Sequence, residues 1–150
     1  MITVKLKKLT PEAVIPTKGH PDDFCFDLVA TSCEQVAPNV YKYGFGIALQ
    51  AVDTKDLPKE IATSGFTIRP RSSIWKTGMV LSNSEGTIDR GYTGEISAVF
   101  YHVIPSLPIY KVGDRVAQLH HDTTLNIEFA EVDELDKTER GGGGYGSTGR

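Results

Sequence analysis

Glu95-Ile96-Ser97-Ala98-Val99-Phe100-Tyr101-His102-Val103-Ile104 decides the fold class of this chain. Ile96, Ala98, Phe100 and Ile104 fall on one side of an extended backbone, which is the period of a half-buried strand and not of a helix. Three other runs repeat the pattern. Ile2, Val4 and Leu6 alternate with Thr3, Lys5 and Lys7; Phe24, Phe26 and Leu28 share one face while Cys25, Asp27 and Val29 share the other; Leu125, Ile127 and Phe129 alternate near the end. Gly, Pro and Asn/Asp breaks separate these runs. Helix signals are weak: one turn is expected from Pro58, and a short helix capped by serine over Ser72 to Lys76. Many short strands with turn chemistry between them predict a sandwich, jelly roll or barrel.

At 150 residues the chain is expected to form one domain that buries about 68–70% of its unfolded surface. It shows no internal repeat. Lys and Arg total 16 against 19 Asp and Glu, a net charge of −3, so there is no basic field of the kind that binds duplex nucleic acid. No apolar run approaches the roughly 18–20 residues needed to span a bilayer. The opening MITVKLKKL lacks the apolar core and cleavage site of a signal peptide, which predicts a cytoplasmic protein without membrane partners. Cys25 and Cys33 are the only cysteines; with neither C-x-x-C spacing nor a nearby histidine pair they are read as reduced and structural.

Four internal segments place polar residues where strand logic does not ask for them. Asp27 interrupts the apolar Phe24-Cys25-Phe26-Asp27-Leu28, so it either faces solvent or works with a cation. In Arg69-Pro70-Arg71-Ser72-Ser73, a guanidinium and hydroxyls at a helix start suit either capping or a phosphate. The segment NSEGTIDRGYTGE, Asn83 to Glu95, is punctuated by Gly86, Gly91 and Gly94, which predicts a hairpin or a backbone-lined pocket. Its Asp89 either stabilises a turn or orients a water, with Tyr92 three residues on. In VGDRVAQLHH, Gln118 faces the same way as Val116 and His120, opposite Arg115, Ala117 and Leu119. A glutamine among apolar neighbours needs backbone or ligand partners. His120 and His121 point to opposite faces and cannot chelate one metal together; with His20 and His102 they are read as structural or exposed.

The chain closes on RGGGGYGSTGR, Arg140 to Arg150. Glycine supplies no apolar side chain and loses the most backbone entropy on ordering, so this stretch cannot build a core. Either it is an idle tail, or its free N–H groups, Ser147, Thr148 and the flanking arginines take phosphates while Tyr145 takes a base.

In this order the five segments resemble the motifs of the trimeric deoxyuridine triphosphate nucleotidohydrolases, the dUTPases, from about Phe24 to Gly149. PRSS, NSEGTIDRGYTGE, GDRVAQL and RGGGGYGSTG are specific; FCFDL is looser, lacking the family's usual small residue and glycine before the acid. Trp75 also stands where a small or aliphatic residue is usual. The resemblance implies an all-β, jelly-roll-like fold with one short helix, a β domain over residues 1–139 and a flexible glycine-rich lid over 140–150. It implies hydrolysis of dUTP to dUMP and pyrophosphate with Mg2+, by water attack on the α-phosphate, keeping uracil out of DNA and supplying dUMP for thymidylate synthesis. Asp89 matches the acid that activates the water, and Asp27 the acid that holds magnesium through its water shell. Arg71, Ser72, Ser73 and Gln118 match phosphate-contacting positions. Asn83, Gly86, Thr87, Ile88 and Ser97 fall with the uracil pocket, where main-chain groups read the base. Tyr92 matches the ring that packs on deoxyribose. Arg140, Gly143, Tyr145, Gly146, Ser147 and Thr148 match the tail that covers bound nucleotide, with Tyr145 replacing the usual phenylalanine. The implied partners are dUTP and two further copies of the chain, in a homotrimer.

Two rivals share the scaffold. A dCTP deaminase, or a bifunctional deaminase/dUTPase, needs a proton-shuttling glutamate against the base, and Glu95 is the only acid near the hairpin that could be proposed. A regulatory binding protein built on the dUTPase scaffold would keep the motifs but use another surface, with the excursion Ala51 to Ser64 as the first place to look.

Overall fold

The computed structural model describes residues 3–143 and is almost wholly β. Its strands are β1 (Lys5–Lys8), β2 (Phe26–Val29), β3 (Ser32–Ala37), β4 (Val40–Gln50), β5 (Ile61–Pro70), β6 (Met79–Leu81), β7 (Gly86–Ile88), β8 (Glu95–His102) and β9 (Arg115–Leu125). They form two antiparallel sheets. One runs β1-β4-β8-β6 with β3 also on β4, and the other runs β2-β9-β5-β7. A single apolar cluster joins them, with Tyr43, Phe45, Ile47, Ile96 and Phe100 from the first sheet and Leu28, Phe66, Ile68, Val116, Ala117 and Leu119 from the second. This is the expected jelly-roll-like, all-β architecture. No helix among the described residues is long and apolar enough to cross a membrane.

Ile96, Ala98 and Phe100 are buried as their spacing predicts, whereas Ile104 lies past the end of β8 and is exposed. Val4 and Leu6 pack against the core from β1; Ile2 lies outside the described residues. Strand β4 was not anticipated, because Gly44 and Gly46 read as breaks. In the fold they are what lets β4 be covered on both sides. Tyr43, Phe45, Ile47 and Leu49 fill the core, while a Cβ on Gly44 would meet Ser32 Oγ at 2.5 Å and Glu95 Oε1 at 2.6 Å. Gly46 has φ +63°, a left-handed conformation that glycine adopts without penalty.

Other expectations are corrected. Phe24 does not share the core with Leu28; it is 70% exposed and stacks on the His120 ring at 4.2 Å. The run after Leu125 is not a strand: Ile127 and Phe129 are 77% and 92% exposed, and none of the described residues covers them. Ala51 to Ser64 is only partly a surface excursion. Ala51, Val52, Leu57 and Ser64 are buried, Ser64 Oγ donates to Val52 O at 3.1 Å, and the segment from Ile61 already belongs to β5. A 3-10 turn that was not expected covers Thr54–Asp56, and the turn expected from Pro58 is present, closed by Ile61 N–H donating to Pro58 O at 2.9 Å. The short helix at Ser72–Lys76 is of the 3-10 kind, and its N-cap is Arg71, with no side-chain cap bond.

His121 enters the apolar side of the second sheet. It lines a cavity of about 190 Å3 with Val4, Leu6, Phe26, Phe66 and Leu119. Burial holds its pKa below the ordinary value of 6.5, and its Nε2 is buried without a partner. An unfolded chain therefore takes this proton first as the pH falls through about 6.5, and stability is lost on the acid side until the folded pKa is passed. Urea midpoints should fall between about pH 7 and pH 5, and less steeply in His121→Leu, which also removes an unsatisfied polar atom.

Candidate active site

The polar face of the second sheet carries a row of three side chains across three strands. Arg69 on β5 pairs with Gln118 on β9, and Gln118 pairs with Asp27 on β2. Gln118 Nε2 donates to Pro70 O at 2.9 Å, the backbone partner such a residue needs. Beyond this row the β2–β9 register shifts, so that Leu28 faces Ala117 while Val29 faces Arg115. Val116 is the extra residue of a β-bulge. It rotates Arg115 out of the face of Ala117 and Leu119, where strict alternation had placed it, onto the face of Gln118 and Asp27.

The bulge completes a charge cluster. Arg71 Nε donates to Asp27 Oδ1 at 2.9 Å and Arg115 Nη1 to Asp27 Oδ2 at 3.0 Å. Arg69 is bound through Nε to Glu85 Oε1 at 3.0 Å. Asp27, Arg69, Arg71, Ser72, Arg115 and Gln118 all line one cavity of about 580 Å3. Asp27 thus works with cations and does not simply face solvent. Arg115 was absent from the expected site because a bulge cannot be read from periodicity; Arg69 headed the segment read as a capping or phosphate site, but the resemblance, carried by PRSS, assigned it no role. Cys25 also lines the cavity; burial raises its thiol pKa against the opposing pull of Arg69, a direction that disfavours the thiolate. Ser73 lies on the same turn but not in the cavity wall.

The hairpin builds a second cavity, of about 180 Å3, lined by Thr87, Ile88, Asp89, Tyr92, Glu95, Ile96 and Ser97. Tyr92 N–H donates to Asp89 O at 3.0 Å, closing the turn that carries the acid. The Tyr92 hydroxyl donates to Glu95 O at 2.9 Å, and a Cβ on Gly94 would lie 2.6 Å from that hydroxyl, so a side chain there would displace the ring from its place over Gly94. Gly86 is buried; Asn83 is exposed at the turn; neither lines the cavity. Glu95 is turned toward β4, where Oε1 accepts from Gly46 N–H at 3.0 Å.

The two cavities share no lining residue. Arg140 folds on itself through Nε to Gly143 O at 3.0 Å; Tyr145, Gly146, Ser147 and Thr148 lie outside the described residues.

The dUTPase family profile matches residues 11–149, the stretch that carries every group named above. The chain belongs to the dUTPase family. It is 40% identical to the deoxyuridine 5'-triphosphate nucleotidohydrolase of Nocardia farcinica over 149 residues, covering 97% of this chain and 85% of that relative. Its identity to the enzyme of that name from Corynebacterium glutamicum is 37%, over 100% and 97% of the two chains. The fold also matches the dUTPase of Staphylococcus bacteriophage 80alpha solved with dUpNHpp, at TM-score 0.78 and 22% identity over the full length of both chains.

Removing Asp27 leaves Arg71, 25% exposed, and Arg115, 55% exposed, without their shared partner. Asp27 is 16% exposed between its two arginines. Asp27→Ala should therefore lower folding stability by about 1–3 kcal/mol in urea unfolding.

Proposed function

We propose that this chain hydrolyses dUTP to dUMP and pyrophosphate, by attack of water on the α-phosphate, as a cytoplasmic homotrimer. The observation that carries the reading is the cavity of Arg69, Arg71, Ser72, Arg115 and Gln118 around Asp27, which offers fixed donors to a polyanion. Two carboxylates, Asp23 and Asp27, against three guanidiniums suit a magnesium ion that arrives already chelated by a triphosphate and keeps its water, not a bare ion held by protein oxygens. Among the described residues no cluster of three or more metal-ligating His, Cys, Asp or Glu side chains occurs, which agrees with that mode. Asp27 would hold the hydrated magnesium, whose chemistry is to neutralise phosphate charge. Arg71, Ser72, Ser73 and Gln118 bind and orient the phosphate chain.

Asp89 accepts a proton from the attacking water. It stands on an exposed turn, and among the described residues no ion pair engages its carboxylate. Thr87, Ile88 and Ser97 line the base pocket, with Asn83 and Gly86 on the hairpin that carries it, and fixed backbone groups fit N3–H and O4 of uracil and leave cytosine unpaired. Tyr92 packs on the sugar, and residues 140–150 close over the nucleotide. The hydrogen bond from Gly46 N–H holds Glu95, the glutamate that deamination would need, toward β4 and supports hydrolysis over the deaminase reading.

Self-association is part of the same proposal: Asp89 and Asp27 line separate cavities of one chain, an arrangement that suits a site assembled from neighbouring copies. Exposed Ile127, Phe129 and Leu135 supply apolar surface for such contacts. Sedimentation should give three chains per particle.

Pyrophosphate release measured with dUTP, dCTP, dTTP and UTP in the presence of Mg2+ tests the proposal: turnover on dUTP alone is expected, and ammonia from dCTP or inactivity on dUTP would sink it. Asp89→Asn should retain nucleotide affinity and lose turnover by about 100-fold or more. Removal of residues 140–150 should leave the melting transition unchanged while sharply lowering turnover.

A further inference from the structure

We propose that Gly65 is a positioning residue for Asp89, acting through the carbonyl of Ile88; the inference rests on the reading of Asp89 as the acid that activates water. The β5–β7 ladder pairs Ile68 with Gly86, Thr67 with Thr87 and Phe66 with Ile88, and there it ends. Gly65 is the next residue of β5, at the point where the chain leaves β7 for Asp89. A Cβ on Gly65 would lie 2.7 Å from Ile88 O, 3.7 Å from the carbonyl carbon and 3.9 Å from Arg90 N. Ordinary carbon–oxygen contacts begin near 3.3 Å, so any side chain there must push the carbonyl aside by about 0.6 Å. The atom displaced is backbone, and the peptide it belongs to supplies the nitrogen of Asp89. No flexible side-chain end absorbs the shift.

The requirement is for space and not for conformation, since Gly65 is not among the glycines with positive φ. Gly91 is the contrast within the same hairpin: a Cβ there meets nothing within 4 Å. On its far side the Asp89 segment is held by Arg90 Nη2 to Asp53 Oδ1 at 3.4 Å, a link from the Ala51–Ser64 excursion. Both partners of that pair are more than two-fifths exposed, so water screens it and it contributes little. Gly65 is the rigid support. Asp89 lines the hairpin cavity of about 180 Å3 and also a cavity of about 330 Å3 that Gly65 itself borders with Thr67, Thr87 and Asp122. Moving the Ile88 carbonyl re-aims the carboxylate between them, and proton transfer is sensitive to sub-ångström placement.

The test uses full-length protein carrying Gly65→Ala, Asp89→Asn or both, assayed for pyrophosphate release with dUTP and Mg2+ below the melting transition of the least stable variant. Gly65→Ala should lower kcat about 10- to 100-fold, a clearly larger factor than any rise in KM or loss of affinity for dUpNHpp that the bordering base pocket adds. In the Asp89→Asn background it should add no further loss, because the group it positions is already gone. Gly91→Ala and Asp53→Asn should leave kcat unchanged. A Gly65→Ala enzyme with parental kcat, or one that loses the same factor in the Asp89→Asn background, overturns the proposal. An Asp89→Asn enzyme that turns over normally overturns the reading of Asp89 instead, whatever Gly65→Ala does.

Discussion

One extra residue in β9 governs the chemistry of the second sheet. Because Val116 has no partner on β2, Arg115 reaches the same face as Asp27, and the acid gains a second cation. A carboxylate planted in an apolar strand would otherwise be costly to dehydrate. The benefit runs in both directions. Held by Asp27, the guanidiniums of Arg71 and Arg115 lose rotameric freedom before any ligand arrives, and their remaining N–H groups point in fixed directions. Lysines at these positions would not do the same, since an ammonium on a flexible stem is not a planar fork.

The hairpin solves a different problem. It must expose an acid yet keep it still, and β7 has only three residues with which to do so. Glycine performs both tasks at opposite ends: Gly94 opens the space into which Tyr92 folds, and the absence of a side chain at Gly65 lets the Ile88 carbonyl settle on β5. Tight backbone packing takes the place that a buried apolar side chain holds elsewhere in the fold.

The strand class was legible wherever one face is buried and the other wet, as in Ile96, Ala98 and Phe100. It failed where that condition fails. Strand β4 is covered on both sides, so its small residues looked like interruptions. The run through Ile127 and Phe129 has the right period but no sheet among the described residues to lie on, because periodicity reports a face and not what covers it. The acids, PRSS, Gln118 and the hairpin were readable because their residue types are unusual in strands. Arg115 was not, since an arginine on a strand is ordinary until a register shift gives it neighbours.

Glu95 shows how a scaffold can be committed to one chemistry by its framework. The carboxylate satisfies the N–H of Gly46, a buried residue at the left-handed kink of β4, and its own carbonyl accepts from Tyr92. Freeing that acid to move protons at a base would orphan an amide at the centre of the first sheet and loosen the ring over the pocket. A lineage drifting from this chain toward deamination would have to rebuild β4 before it could recruit Glu95. One hydrogen bond thus ties a carboxylate of the hairpin cavity to the backbone of the first sheet.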